Sequence, residues 1–245
     1  MFTKKRFLSM PERQQHKICS DLLRQAHDQL LHDQSSLAFS YYQEIQTWIA
    51  QPFPVKATRD SICDGFHHHL NLAGLNVREH NLLVPQTDRP KGAPVKPIAI
   101  YLDRLRSAHN IGSIVRTTEA FSLGTLYFSK NMASIDHKQV QDAAMGSHQW
   151  VTCYQNIPLA ILPRPIIALE TVPNATSIHN YLFPTSFTLA VGNEEYGLSS
   201  ETLSLSDHIV AIPLTGRKNS LNVANAFAIA AAEIQRQATS IGYPL

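Results

Sequence analysis

A chain of 245 residues is long enough for one full core and a smaller second one, and 44% hydrophobic against 16% charged residues excludes a disordered polymer. A formal charge of +2 leaves no whole-protein field for polyanions; residues 1–96 hold twelve Lys/Arg against nine Asp/Glu and residues 97–245 nine against ten, so any such attraction is local. Cys19, Cys63 and Cys153 are odd in number and widely spaced, which excludes a disulfide framework or a zinc motif and points to the cytoplasm. The most apolar stretch, 219–232, has fourteen residues and is too short to cross a bilayer, so no membrane association is expected.

In chain order, Ile18, Leu22, Leu23, Ala26 and Leu30 recur at helical spacing and predict an amphipathic helix over 12–33. A second helix is expected over 37–50, stopped by Gln51-Pro52, then a short helix around His67, His68 and His69, then a strand at 81–84. The three consecutive histidines point in different directions, and no metal site is expected. PQTDRPKGAPVKP, with four prolines and no periodicity, reads as a linker. It divides a small, mostly helical domain over 1–90 from a second domain over 97–245.

The second domain alternates short apolar runs with helical segments. Strands are expected at 98–103, 125–129, 166–170, 187–192 and 208–214, with helices at 111–121, 137–145 and 222–237. That alternation predicts a parallel α/β sheet covered on both faces, whose ligands sit beyond the carboxyl ends of the strands.

Three of those ends carry unusual chemistry. In DRLRSAHNIGSIVRTTEAF, Asn110 is placed to cap the following helix, Gly112 permits close backbone approach, and Arg106 and Arg116 offer guanidinium groups near a helix N-terminus, where phosphate binds well, the alternative for Arg116 being a solvated side chain paired with Glu119. In AVGNEEYGLS, Gly192 and Gly197 bracket Glu194 and Glu195 directly after a strand. In IPLTGRKNSLNVANA, Arg217 and Lys218 precede Ser220, Leu221 and Asn222 at the start of an alanine-rich helix, and local evidence makes Ser220 its N-cap. The small residues of that helix imply close packing on several sides, one against the sheet and another against a second copy of the chain. No G-x-G-x-x-G follows a strand, which disfavours a dinucleotide-dependent oxidoreductase.

NIGSIVRTTEAF, AVGNEEYGLS and IPLTGRKNSLNVANAFAIAAAEI resemble, in order and spacing, the three signature motifs of the SpoU/TrmH group of RNA ribose 2′-O-methyltransferases in the SPOUT superfamily, over residues 97–237. The resemblance implies a SPOUT-type parallel sheet whose C-terminal segment forms a deep trefoil knot, binding of S-adenosyl-L-methionine, and work as a homodimer through the C-terminal helix. It implies cofactor contacts at Gly192, Ile212 and Leu221, with Leu214 and Leu169 nearby, and a catalytic polar set of Asn110, Arg116, Glu194, Ser220 and Asn222. The chain departs from the family's SLNVSVA at Ala224 and Asn225. The substrate implied is a ribose 2′-hydroxyl in tRNA or rRNA; the alternative is a non-catalytic RNA-binding protein that keeps the knot as scaffold. Because an arginine side chain keeps its proton, Arg116 is read as positioning phosphate and hydroxyl rather than as a simple base. In the N-terminal domain, Lys4, Lys5, Arg6, Arg13, Lys17 and Arg24 suit phosphate contacts, and Phe7, Tyr41, Tyr42 and Trp48 either stack on bases or pack the helices together.

Overall fold

The computed structural model describes residues 2–31, 36–49, 52–75, 83 and 92–240. Contacts divide the chain into two compact units, Met1–Arg89 and Pro90–Leu245. Of the expected strand at 81–84 only Leu83 is described, and most of the proline-rich linker lies outside the described residues.

The first unit is built on α1 (Lys4–Leu8), α2 (Glu12–Leu31), α3 (Leu37–Gln46) and α4 (Arg59–Leu72). The helix expected over 37–50 ends at Gln46, because Thr47 turns back and its hydroxyl donates to the Glu44 carbonyl (2.7 Å). The short histidine helix is fourteen residues long: buried Gly65 lets it lie against Leu23 and Val55, where a Cβ would collide. Its core joins Phe7, Leu23, Phe39, Tyr42, Ile45 and Phe66. Phe7, Tyr41 and Tyr42 are buried, and Trp48 packs edge-on against Phe7 and Tyr41. These aromatics therefore hold helices together; burying each stabilises the unit by roughly 1.5–3 kcal/mol, which exposure for base stacking would forfeit.

The second unit is a seven-stranded parallel sheet in the order β3-β2-β1-β6-β4-β7-β5. Its strands are β1 (Ile98–Leu102), β2 (Thr125–Phe128), β3 (Cys153–Gln155), β4 (Ile166–Leu169), β5 (Thr176–Ser177), β6 (Phe187–Val191) and β7 (His208–Ala211). Its helices are α5 (Ala108–Ala120), α6 (Lys138–Ala144), α7 (Ser200–Leu205) and α8 (Val223–Ser240). The central strands β1 and β6 are buried at every residue, as continuous apolar runs require. Alternation then sorts their side chains. Ile98, Ile100, Leu102, Phe187, Leu189 and Val191 face a large core closed by α5, α6 and α8; Ala99, Tyr101 and Ala190 face a thinner one that Leu159, Leu162 and Leu198 help close.

Helix α8 buries Ala224, Phe227, Ala230, Ala231 and Ile234 in the larger core, and its later turns are fastened where Gln237 accepts from Phe183 N–H (3.0 Å) and donates to the Tyr181 carbonyl (2.9 Å). Asn225, Ile229 and Ala232, at spacings of four and three, form an exposed stripe on its other side.

Candidate functional site at the carboxyl edge of the sheet

Because all strands run parallel, the loops after β1, β6, β4 and β7 emerge along one edge of the sheet. Those loops carry Arg106 to Asn110, Gly192 to Tyr196, Leu169 with Glu170, and Ile212 to Asn222, respectively.

Asn110 is not the cap of α5. Helix α5 begins three residues earlier than expected, and Ser107 is its N-cap, accepting from Asn110 N–H (3.2 Å). That places Asn110 in the first turn with its amide free to reach outward. Its Nδ2 donates to Glu194 Oε1 (2.9 Å), and its Oδ1 accepts from Asn222 Nδ2 (3.0 Å). Asn222, rather than Ser220, caps α8: its Oδ1 accepts from Ala224 N–H (2.9 Å) and Asn225 N–H (3.3 Å), while its carbonyl takes the first helical bond from Ala226. One amide thus spans 84 residues to the loop after β6 and 112 residues to the start of α8. Ser220 lies exposed, two residues upstream.

Glu194 binds the turn that enters α5. Its Oε1 also accepts from Ser107 N–H (3.0 Å) and its Oε2 from Arg106 N–H (3.0 Å). Partial burial pushes its carboxyl up, but these two backbone donors and Asn110 outweigh that and hold it below the usual carboxylate range. A carboxylate at a helix N-terminus also gains from the helix dipole.

Three residues not singled out by sequence tie the loops to the sheet. Buried Asn193 accepts Glu195 N–H (2.9 Å) and Tyr196 N–H (3.3 Å) and donates to the Arg104 carbonyl (2.6 Å). Buried Asp103 accepts Ser199 N–H (2.7 Å), and Glu170 accepts Leu198 N–H (2.8 Å) and Thr171 N–H (2.9 Å). The available signal was position alone, a carboxylate or amide at the last residue of a strand run or just after it. Gly192 is required by the same packing: a Cβ there would lie within the backbone of Gly197 and Leu198. Gly112 has an equivalent reason, since its Cβ would stand 2.6 Å from that of Ala143 on α6.

Among the residues expected to hold a cofactor, Leu169, Ile212 and Leu214 are half-buried at the ends of the neighbouring strands β4 and β7, and Gly192 follows adjacent β6. Leu221 is 42% exposed beside the Asn222 cap. Arg116 lies on another face of α5. It is exposed on α5, about 120° round the helix from Asn110, with Nη1 2.9 Å from Met145 Sδ at the end of α6. Among the described residues, no group of three or more His, Cys, Asp or Glu side chains is placed to hold a metal ion, and no helix is long and apolar enough to cross a membrane.

The part of the chain that carries this site is similar to known proteins. The family model described as SpoU rRNA methylase matches residues 97–232. An uncharacterised tRNA/rRNA methyltransferase of Synechocystis is 30% identical over 162 residues, covering 61% of this chain and only 41% of that protein. A 23S rRNA (guanosine-2′-O-)-methyltransferase of Acinetobacter baylyi is 28% identical over 203 residues, 77% of this chain and 82% of that one. The crystal structure of the SpoU methyltransferase AviRb from Streptomyces viridochromogenes with the cofactor AdoMet superposes with a TM-score of 0.54 and 26% identity, covering 62% of this chain and 63% of that one. The matched residues contain β1 to β7 and the amide chain that joins their loops, and the protein belongs to the SpoU rRNA methylase family.

Proposed function

We propose that this protein transfers a methyl group from S-adenosyl-L-methionine to a ribose 2′-hydroxyl of tRNA or rRNA. The observation that carries this reading is the chain Glu194–Asn110–Asn222, which locks the loops after β1, β6 and β7 into one preorganised edge. The residues there fit the cofactor. Leu169, Ile212, Leu214 and Leu221 offer apolar contacts for adenine, Gly192 leaves its loop without a side chain, and Glu170 is committed to backbone N–H groups. When bound, the cofactor supplies an electrophilic methyl group on a sulfonium.

The chain's own work is to hold the nucleotide. Asn110 and Glu194 fix the turn before α5, Asn222 fixes the start of α8, and Ser220 presents an exposed hydroxyl beside them. Arg116 aligns the phosphate and favours the hydroxyl's loss of its proton by electrostatic attraction, since a guanidinium stays charged. Its distance around α5 from Asn110 supports service to a second copy's site. The reading includes a homodimer joined through the exposed stripe of α8, a trefoil-knotted C-terminal segment, and the cytoplasm as the place of work. The helical unit is read as an RNA-binding domain through Lys4, Lys5, Arg6, Arg13 and Lys17, all exposed on α1 and α2.

The test is transfer of labelled methyl to total RNA lacking the modification, with the RNA digested to nucleosides. A 2′-O-methylated nucleoside formed by wild type supports the reading. Cofactor binding without transfer to either RNA class contradicts it.

A further inference from the structure

Tyr196 is 72% exposed, yet it stands on a turn held by several hydrogen bonds. Its own N–H and that of Glu195 are bound by Asn193 Oδ1. Asn193 and Gly197 exchange backbone bonds on either side of it (2.9 and 3.0 Å), and Gly197, at φ +68°, rests against the Glu170 carboxylate. A largely exposed aromatic ring on a rigid backbone adds little to folding, but it binds a flat partner with little ordering cost. Above it lies Arg106, with Cζ 5.5 Å from the ring centroid and Nη1 2.7 Å from Glu195 Oε2. Both ends of that ion pair are more than half exposed, so it is weak and easily exchanged. The pair is bolted to the site already described, because the Arg106 backbone N–H donates to Glu194, the carboxylate that also holds Asn110.

We propose that Tyr196 and Arg106 form a nucleotide-docking platform at the rim of the site, the ring stacking on an unpaired base next to the target ribose and the guanidinium taking an adjacent phosphate. Glu195 occupies the guanidinium in the absence of RNA and competes with the phosphate, so that a lone anion gains little and a stacked nucleotide gains both contacts. The platform deepens the methyltransferase reading and rests on it. A guanidinium over an aromatic face also suits single-stranded RNA, because every base has a face to stack while only a splayed-out base reaches such a rim.

The experiment measures KM for the RNA that wild type methylates, and the Kd of a fluorescent single-stranded RNA decamer with and without its bases. Tyr196→Ala is expected to raise KM and the decamer Kd about tenfold, with no change for the abasic decamer. Tyr196→Trp should restore binding and show quenching of the new indole when RNA is added. Arg106→Ala should weaken both decamers, and Glu195→Gln should tighten both. Tyr154→Ala, at an aromatic on the edge strand β3, serves as the control. If wild type methylates RNA and Tyr196→Ala leaves KM and Kd within twofold, the platform is overturned and the methyltransferase reading stands. If wild type neither binds nor methylates RNA, both fall together.

Discussion

The helical unit and the sheet unit each contain a relay of three side chains that joins segments far apart in sequence. In the helical unit, Tyr42 Oη donates to the Phe53 carbonyl (3.1 Å) and therefore accepts from His69 Nε2–H (2.9 Å), which leaves His69 Nδ1 to accept from His16 Nδ1–H (3.0 Å). In the sheet unit, Asn222 donates to Asn110, which donates to Glu194. The first relay is sealed from water: His16, His69 and Tyr42 are all buried. The second has a buried centre in Asn110 and two exposed ends. A buried relay can only specify packing, and each member costs stability if its partner is lost. A relay with ends in water can hold a surface in shape for something that arrives. The polar groups of the two units therefore differ in use because of burial, with similar chemistry.

The sharpest way to break this contrast is Arg116→Ala. Arg116 is exposed, and its loss should leave the unfolding temperature within about 2 °C, as surface substitutions do. Methyl transfer should fall about 100-fold or more, the scale of removing one group that stabilises developing charge. An active Arg116→Ala enzyme would remove Arg116 from the catalytic set.

Asn222 separates the two jobs of the exposed relay. Asn222→Asp still caps α8, with its negative charge well placed at a helix N-terminus, but cannot donate to Asn110. It should fold with near wild-type stability and lose roughly tenfold or more in transfer rate. Asn222→Ala loses the cap as well and should unfold about 1–2 kcal/mol more easily. Denaturant unfolding beside initial rates checks both. Equal activity in Asn222→Asp and wild type would reduce the relay to a helix cap.

Both relays were beyond the reach of sequence. Asn110, Glu194 and Asn222 were legible as candidates because each lies in a segment beyond a strand run that resembles a SpoU/TrmH motif, and β1, β2, β4, β6 and β7 were legible as short apolar runs. The bond from residue 110 to residue 222 depends on where α5 and α8 begin, and Ser107 and Asn222 set those starts. The sequence reading had offered Asn110 and Ser220 as caps; polar residues crowd both loops, and local preference does not choose among them. The strands β3 and β5 went unread because they have three and two residues and are only partly buried. Helix α4 was cut short because its first turns, RDSICDG, show no apolar stripe until packed on α2. The Tyr42–His69–His16 relay left no sequence signal beyond three adjacent histidines.

The buried relay makes its own prediction. Burial, then the nearby His16 and His68, pull the His69 pKa down to about 3. His16 is also lowered by burial, against the opposing pull of Glu12. An unfolded histidine takes its proton near pH 6.5, so between pH 6.5 and 3 the unfolded chain binds a proton that folded His69 refuses, and stability falls as pH falls. From pH 7 to pH 5 this one group should cost the helical unit roughly 2 kcal/mol. His69→Gln should flatten that slope, whatever it does to the baseline. A pH-independent unfolding midpoint in wild type would place the His69 proton elsewhere.

The smallest expected effect is at Gly216, and it probes the exposed edge from the opposite direction. A Cβ at Gly216 meets no atom within 4 Å, and its φ lies outside the left-handed region that favours glycine. Gly216→Ala should therefore change stability by no more than about 0.5 kcal/mol, with any gain arising from a less mobile unfolded chain. Gly192→Ala, by contrast, drives a methyl into the Gly197–Leu198 backbone and should destabilise by about 1–3 kcal/mol. If folding needs Gly192 and only ligand approach needs Gly216, then Gly216→Ala should weaken cofactor or RNA binding while its unfolding curve overlays that of wild type. Unchanged binding and unchanged stability would mean that this part of the Arg217–Lys218 loop tolerates a side chain, and that the working surface of the edge lies closer to Asn110 and Glu194.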